Sequence, residues 1–159
     1  MTNHTYAAGL FDGEGTVTMT RYKKNERRTP VASLSSTTYE LVDFMRQQYG
    51  GQVITLTKRQ NHHKQAWHWQ VSRDGALAFL EHVRAYLREP DKKRRADMLV
   101  ERYKTVTARN GKYTTELATA RELFEEEFFN LQEDSQGTSS ILRLDQSNAS
   151  TFASLCIGK

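Results

Sequence analysis

Tyr6-Ala7-Ala8-Gly9-Leu10-Phe11-Asp12-Gly13-Glu14-Gly15-Thr16-Val17 is the stretch from which the remainder of the chain can be read. Taken as a helix, Tyr6 to Phe11 offers an unusually small face at Ala8, Gly9 and Asp12. Gly9 and Gly13 are four apart and stack on one side, which lets a second backbone approach closely. Membrane helices use the same device, but the neighbours here are polar and too few to span a bilayer. Asp12 and Glu14 alternate with Gly13 and Gly15, an ending that stops a helix and turns the chain with little steric resistance. It leaves two carboxylates at the tip. Such hard oxygen donors suit Mg²⁺, and a second copy supplied by a partner subunit would bring a matching pair close by.

At 159 residues the length suits one domain with a proper core. A hydrophobic fraction of 37% is low for a globular domain and implies much polar surface or an unpacked tail. The net charge of +4 favours an anionic partner. It is segregated: residues 21–28 and 84–104 are basic, whereas 122–134 are acidic. Cys156 is the sole cysteine, which excludes a disulfide framework or a thiolate metal cluster within one chain. No apolar run reaches spanning length and no signal-peptide pattern opens the chain, so a soluble, intracellular protein is expected.

Beyond the opening stretch, Thr16 to Lys24 alternates with period two, with Val17 and Met19 on one side and Thr18, Thr20, Tyr22 and Lys24 on the other. A charged turn leads to a second strand, Val31 to Ser36, whose apolar side is Ala32 and Leu34. Thr37 or Thr38 can cap a helix that carries Leu41, Val42, Phe44, Met45 and Tyr49 and stops at Gly50-Gly51. Gln52 to Gln60 predicts a third strand, with Ile54 and Leu56 opposed to Val53, Thr55, Thr57 and Arg59. Gln65 to Arg73 predicts a fourth, with Trp67, Trp69 and Val71 opposed to Ala66, His68 and Gln70. A helix through Leu87, a break at Glu89-Pro90-Asp91, a helix beginning at Lys92-Lys93-Arg94-Arg95 and a last one ending at Leu131 complete the order. Residues 133–159 turn rich in Ser, Thr, Gln and Asn and read as a poorly ordered tail after a domain of residues 1–132.

Ala7-Ala8-Gly9-Leu10-Phe11-Asp12-Gly13-Glu14-Gly15 resembles the LAGLIDADG motif of homing endonucleases. The element order α-β-β-α-β-β-α matches that family's core, so the resemblance covers roughly residues 5–110. It implies an α+β fold, an αββαββα core with a saddle-like antiparallel sheet, here with extra C-terminal helices. A single motif copy resembles the homodimeric members. The resemblance places the metal-binding catalytic carboxylate on Glu14 and the earlier acidic position on Asp12, with the Gly13 carbonyl as a further ligand of Mg²⁺ or Mn²⁺. A lysine near the scissile phosphate falls on Lys92, or on Lys93 if the loop register slips by one. Relatives often carry Gln after the second strand, where this chain has Ser36 and Thr37. The implied activity is a staggered, metal-dependent double-strand break at a long pseudo-palindromic DNA site. The alternative is a non-cleaving nucleic-acid-binding protein of the same fold, an intron maturase or a DNA-binding regulator.

The polar sides of the strands would then form the DNA-reading face: Thr18, Thr20, Tyr22, Ser33, Ser35, Thr55, Thr57, Arg59, His68 and Gln70. Arg, Gln, Ser and Thr can read base edges in the major groove, and Lys24 and Arg28 lie where phosphates would pass. Ala8, Gly9 and Asp12 would form the dimer interface. Rival motifs are weaker. Gly9, Gly13 and Gly15 do not have nucleotide-loop spacing and follow no strand. His62, His63 and His68 lack the cysteine pair or acidic ligand of a zinc or HNH-type site.

Overall fold

The computed structural model describes residues 3–58, 64–110 and 112–148, with side chains as far as Leu131. Its elements are α1 (Asn3–Glu14), β1 (Gly15–Thr20), β2 (Thr29–Ser36), α2 (Tyr39–Tyr49), β3 (Gln52–Thr55), β4 (Trp67–Ser72), α3 (Asp74–Val83), α4 (Pro90–Arg102) and α5 (Thr115–Asn148). A 3-10 turn, Arg84–Tyr86, links α3 to α4. The strands form one antiparallel sheet in the order β1-β2-β4-β3. The α+β class and the αββαββα order are as the sequence implies, with α4 and α5 added.

One face of the sheet is the core. Val17, Met19, Ala32, Leu34, Trp69 and Val71 are all buried against Ala7, Ala8 and Phe11 of α1, Val42 and Met45 of α2, and Phe79, Leu80 and Val83 of α3. Phe11 sits edge-on to Phe79 with ring centroids 5.0 Å apart, and Trp69 meets the same ring at 5.2 Å. Gly15 follows directly: a Cβ there would lie 2.2 Å from the Phe11 ring, so only glycine lets the chain pass from helix to strand beneath it. Gly51, at φ +83°, is likewise required, since a Cβ would come within 2.4 Å of the Gln70 carbonyl.

Three differences from the sequence reading have physical reasons. β1 ends at Thr20, because residues 21–28 turn back through a bond from the Glu26 N–H to the Lys23 carbonyl (3.0 Å). Glu89-Pro90-Asp91 starts α4 more than it breaks α3: Pro90 takes the first turn, where its missing N–H is harmless, and the Glu89 carboxylate accepts from the N–H groups of Asp91 and Lys92. At the start of α2, Thr38 makes no side-chain cap; the Ser36 hydroxyl accepts from the Thr38 N–H instead (3.0 Å). The backbone of α5 is helical to Asn148, past the Leu131 end expected from its apolar stripe. Residues 149–159 lie outside the described residues.

Removing the wedge between α1 and the sheet should be severe. Phe11→Ala is expected to lower stability by about 3–5 kcal/mol, the range for truncating a buried aromatic ring, as measured by denaturant unfolding.

Candidate nucleic-acid interface and active centre

The end of α1 leaves carbonyls without helical partners, and the start of α4 supplies what they lack. The Lys92 ammonium donates to the Phe11 carbonyl at 3.2 Å and to the Asp12 carbonyl. In return, the Asp12 carboxylate accepts from the backbone N–H groups of Arg88 (2.8 Å) and Glu89 (3.3 Å). Lys93 turns away and donates to the Arg84 carbonyl (3.0 Å). Of the two lysines, Lys92 therefore reaches the motif.

Asp12 and Glu14 consequently differ in kind. Each Asp12 oxygen already accepts a backbone N–H, so this carboxylate, expected from the sequence beside Glu14 at a metal, also has a structural duty. Glu14 is exposed at the helix tip. It borders an open concavity of about 290 Å³ shared with Ser35, Ser36, Thr37 and Ala66. Among the described residues, no group of three or more His, Cys, Asp or Glu side chains converges as a metal cluster. Of the two motif carboxylates, Glu14 is the exposed one with no described side-chain partner, and the Gly13 carbonyl precedes it. Both are hard oxygen donors of the type that suits Mg²⁺ or Mn²⁺.

The dimer face also needs redrawing. Ala8, expected at a dimer interface, is completely buried in the chain's own core with Ala7 and Phe11, and Asp12 is half-buried on that side. Gly9 and Gly13 are exposed, and a Cβ on either would meet nothing within 4 Å.

Register orders the open face of the sheet into rows, because directly opposed residues share a face. Thr16, Ser33, Gln70 and Gln52 form one row across all four strands. Thr18, Val31 and Ser72 form the row on its far side from Glu14. Nearest Glu14 are Ser35, His68 and Ile54, with the Ser35 hydroxyl 2.8 Å from His68 Nδ1. Thr20 ends the exposed side of β1, while Tyr22 and Lys24 stand exposed in the 21–28 loop. Thr55 is opposed to Trp67 and lies on the helix side, not the open side, because Val53 pairs with buried Trp69 and sets the parity of β3. Ile54, 44% exposed, takes the open side instead. Thr57 lies beyond the end of β3, and Arg59, His62 and His63 lie outside the described residues. Arg28 is half-buried, 3.5 Å from Glu125 and over the Phe129 ring, and is engaged within the chain. The open-face residues that the sequence reading missed are Thr16, Gln52, Ile54 and Ser72. Thr16 was accessible from the alternation of β1; the β3 residues needed the register.

No family model and no curated protein matches the sequence. Solved structures do. The homing endonuclease I-CvuI, in complex with a DNA target, superposes with a TM-score of 0.61 at 12% identity over 80% of each chain. The archaeal intron-encoded homing endonuclease I-Vdi141I, complexed with DNA, gives 0.53 at 13% identity over 80% of this chain and 82% of that one. The LAGLIDADG homing endonuclease I-GzeII, also with DNA, gives 0.56 at 13% identity over 82% of this chain but 44% of the other. The chain has the LAGLIDADG homing-endonuclease fold.

Within the LAGLIDADG fold, the two motif carboxylates should respond differently to neutralisation. Asp12→Asn keeps one acceptor but places an amide NH₂ against a backbone donor, and should cost about 1–3 kcal/mol of stability. Glu14→Gln, at an exposed site without a described partner, should change stability by less than about 0.5 kcal/mol. Urea unfolding of the two variants checks the contrast.

Proposed function

We propose that the chain is a site-specific DNA endonuclease, acting as a homodimer with Mg²⁺ or Mn²⁺ to make a staggered double-strand break at a long pseudo-palindromic site. The observation that carries this reading is the juxtaposition of exposed Glu14, anchored Lys92 and the polar rows of the sheet at one end of α1. The three solved structures compared above are DNA complexes, which supports duplex DNA as the partner. The endonuclease unit is proposed to be residues 1–132. No described helix is long and apolar enough to cross a membrane.

In this reading Glu14 and the Gly13 carbonyl hold the metal. A divalent cation bound there would supply an activated water and neutralise charge at phosphorus. Lys92, fixed by the last carbonyls of α1, contributes a positive charge that cannot swing away as negative charge develops on the phosphate. Thr16, Thr18, Thr20, Ser33, Ser35, His68, Gln70 and Gln52 face the major groove and read base edges, and Lys24 contacts phosphate.

Dimerisation is supported by the glycines. An exposed glycine inside a helix is about 1 kcal/mol worse than alanine, yet nothing in the subunit requires one at 9 or 13. A second α1 packed against that face would require both, and the dimer would then hold two copies of Glu14, one for each strand. Gly9→Leu should leave the subunit folded while abolishing dimerisation and cutting. Sedimentation tests the first; a wild-type monomer at micromolar concentration that still cuts both strands overturns it.

The metal claim has its own test, on duplex DNA spanning the natural insertion site of the gene. Glu14→Gln should retain specific binding while cleavage falls by orders of magnitude, and Ca²⁺ should support binding with little cutting. Undiminished cutting by Glu14→Gln would overturn the catalytic assignment. Binding by the wild type without cutting under Mg²⁺ would favour the non-cleaving alternative, a maturase or DNA-binding regulator.

A further inference from the structure

Arg121 of α5 is completely buried, the one charged side chain so placed among the described residues. A buried guanidinium is tolerated only when paired and hydrogen-bonded, and an apolar side chain of similar volume is often at least as stable. Its partners therefore matter. Nε donates to the Glu125 carboxylate at 3.0 Å and Nη1 to the Thr107 hydroxyl at 2.7 Å, while the guanidinium lies 4.3 Å from the centre of the Tyr103 ring. These three interactions lie within the α4/α5 joint. The fourth does not: Nη2 donates to the carbonyl of Arg28, the last residue of the 21–28 loop before β2.

The same joint takes up the arginines of that loop. Glu125 lies 3.5 Å from Arg28 and 3.9 Å from Arg21, and Arg27 stacks over Tyr113 at 4.0 Å. Lys23 and Lys24 are left pointing outward; Lys23 has an 82% exposed side chain and only a 3.9 Å approach to Glu26. Loop cations are thus sorted into a set held by Glu125 of α5 and by Tyr113 just before it, and an outward pair.

We infer that Arg121 is a positioning residue for DNA engagement: by holding the Arg28 carbonyl it fixes the base of the 21–28 loop and so the direction in which Lys23 and Lys24 meet a duplex backbone. The inference rests on the DNA reading above. Arg121 touches no DNA itself. The planar fork suits the duty, since three of its nitrogens hold three separate groups in fixed directions, which a lysine ammonium on a flexible stem does not reproduce.

The test measures affinity for a mixed-sequence DNA duplex as a function of salt, which needs no knowledge of the target site. Removing one lysine–phosphate pairing should reduce the log–log salt slope by about 0.9. Lys24→Ala should lower it by about that amount. Arg121→Met should lower it as far as the Lys23→Ala/Lys24→Ala pair does, and Arg121→Lys partly. In the Lys23→Ala/Lys24→Ala background, Arg121→Lys should have no further effect on affinity, whereas a residue that merely braced the fold would weaken binding equally in both backgrounds. If Arg121→Met does not fold, Arg121→Lys carries the comparison. A wild-type slope for folded Arg121→Lys, or equal weakening in the two backgrounds, overturns the inference. A wild-type chain that does not bind the duplex overturns the DNA reading itself, and with it this role.

Discussion

Everything at the centre of this molecule depends on how the C-terminus of α1 meets the N-terminus of α4. A helix end carries partial negative charge on its free carbonyls and a helix start carries partial positive charge on its free N–H groups. Here the two ends are exchanged through side chains from the opposite element. Lys92, from the first turn of α4, satisfies carbonyls of Phe11 and Asp12. Asp12, from the last turn of α1, takes the N–H groups of Arg88 and Glu89, and Glu89 itself caps Asp91 and Lys92. The consequence is a helix tip held in place over the sheet, with Gly13 and Glu14 exposed just beyond the clamp.

That clamp explains why two acidic residues separated by one glycine serve different ends. A helix turns about 100° per residue, so Asp12 and Glu14 leave the axis in different directions. Asp12 falls beside the buried face made by Ala7, Ala8 and Phe11 and meets the loop before α4; Glu14 falls on the side that opens toward Ser35 and Thr37. The Gly15 turn under the Phe11 ring then carries the chain into β1, so that the row nearest Glu14, formed by Ser35, His68 and Ile54, is contiguous with the open face of the sheet.

Much of this was legible beforehand, and the exceptions share a cause. The motif, the element order and the faces of β1 and β4 follow from local patterns, because each of those strands has a clear apolar side, and in β2 Ala32 and Leu34 mark the inner side although Val31 lies on the open one. β3 has none: Gln52-Val53-Ile54-Thr55 places two apolar residues next to each other, and only the pairing of Val53 with Trp69 decides which one turns inward. Ala8 was misplaced for a similar reason. A small residue on a helix can serve a close approach to another subunit or to its own core, and the choice lies in the packing of α1 against the sheet and α3. The choice between Lys92 and Lys93 likewise depended on where α4 begins, which Pro90 and the Glu89 cap determine.

The basic charge is the least literal part of the sequence. Clusters of Arg and Lys at 21–28 and 84–104 read as a phosphate-binding footprint, but the fold engages many of these cations within the chain. Arg84 lies among Glu81, Asp97 and Glu101, Arg102 makes a bidentate pair with Glu127, and Arg28 and Arg121 both turn to Glu125. The Arg102 hydrogen bonds hold the Glu127 carboxyl below its ordinary range. Within the acidic run of α5, Glu125 and Glu127 are therefore not simply repulsive charges; they are counter-charges to arginines of the same chain. Planar forks suit such fixed bidentate pairs, whereas lysine's flexible point charge suits a partner that arrives from solution. A net charge of +4 thus says little about where the charge is displayed: Arg28, Arg84, Arg102 and Arg121 are paired within the chain, Lys92 and Lys93 are held by carbonyls, and Lys23 and Lys24 stand exposed in the loop beside the open sheet.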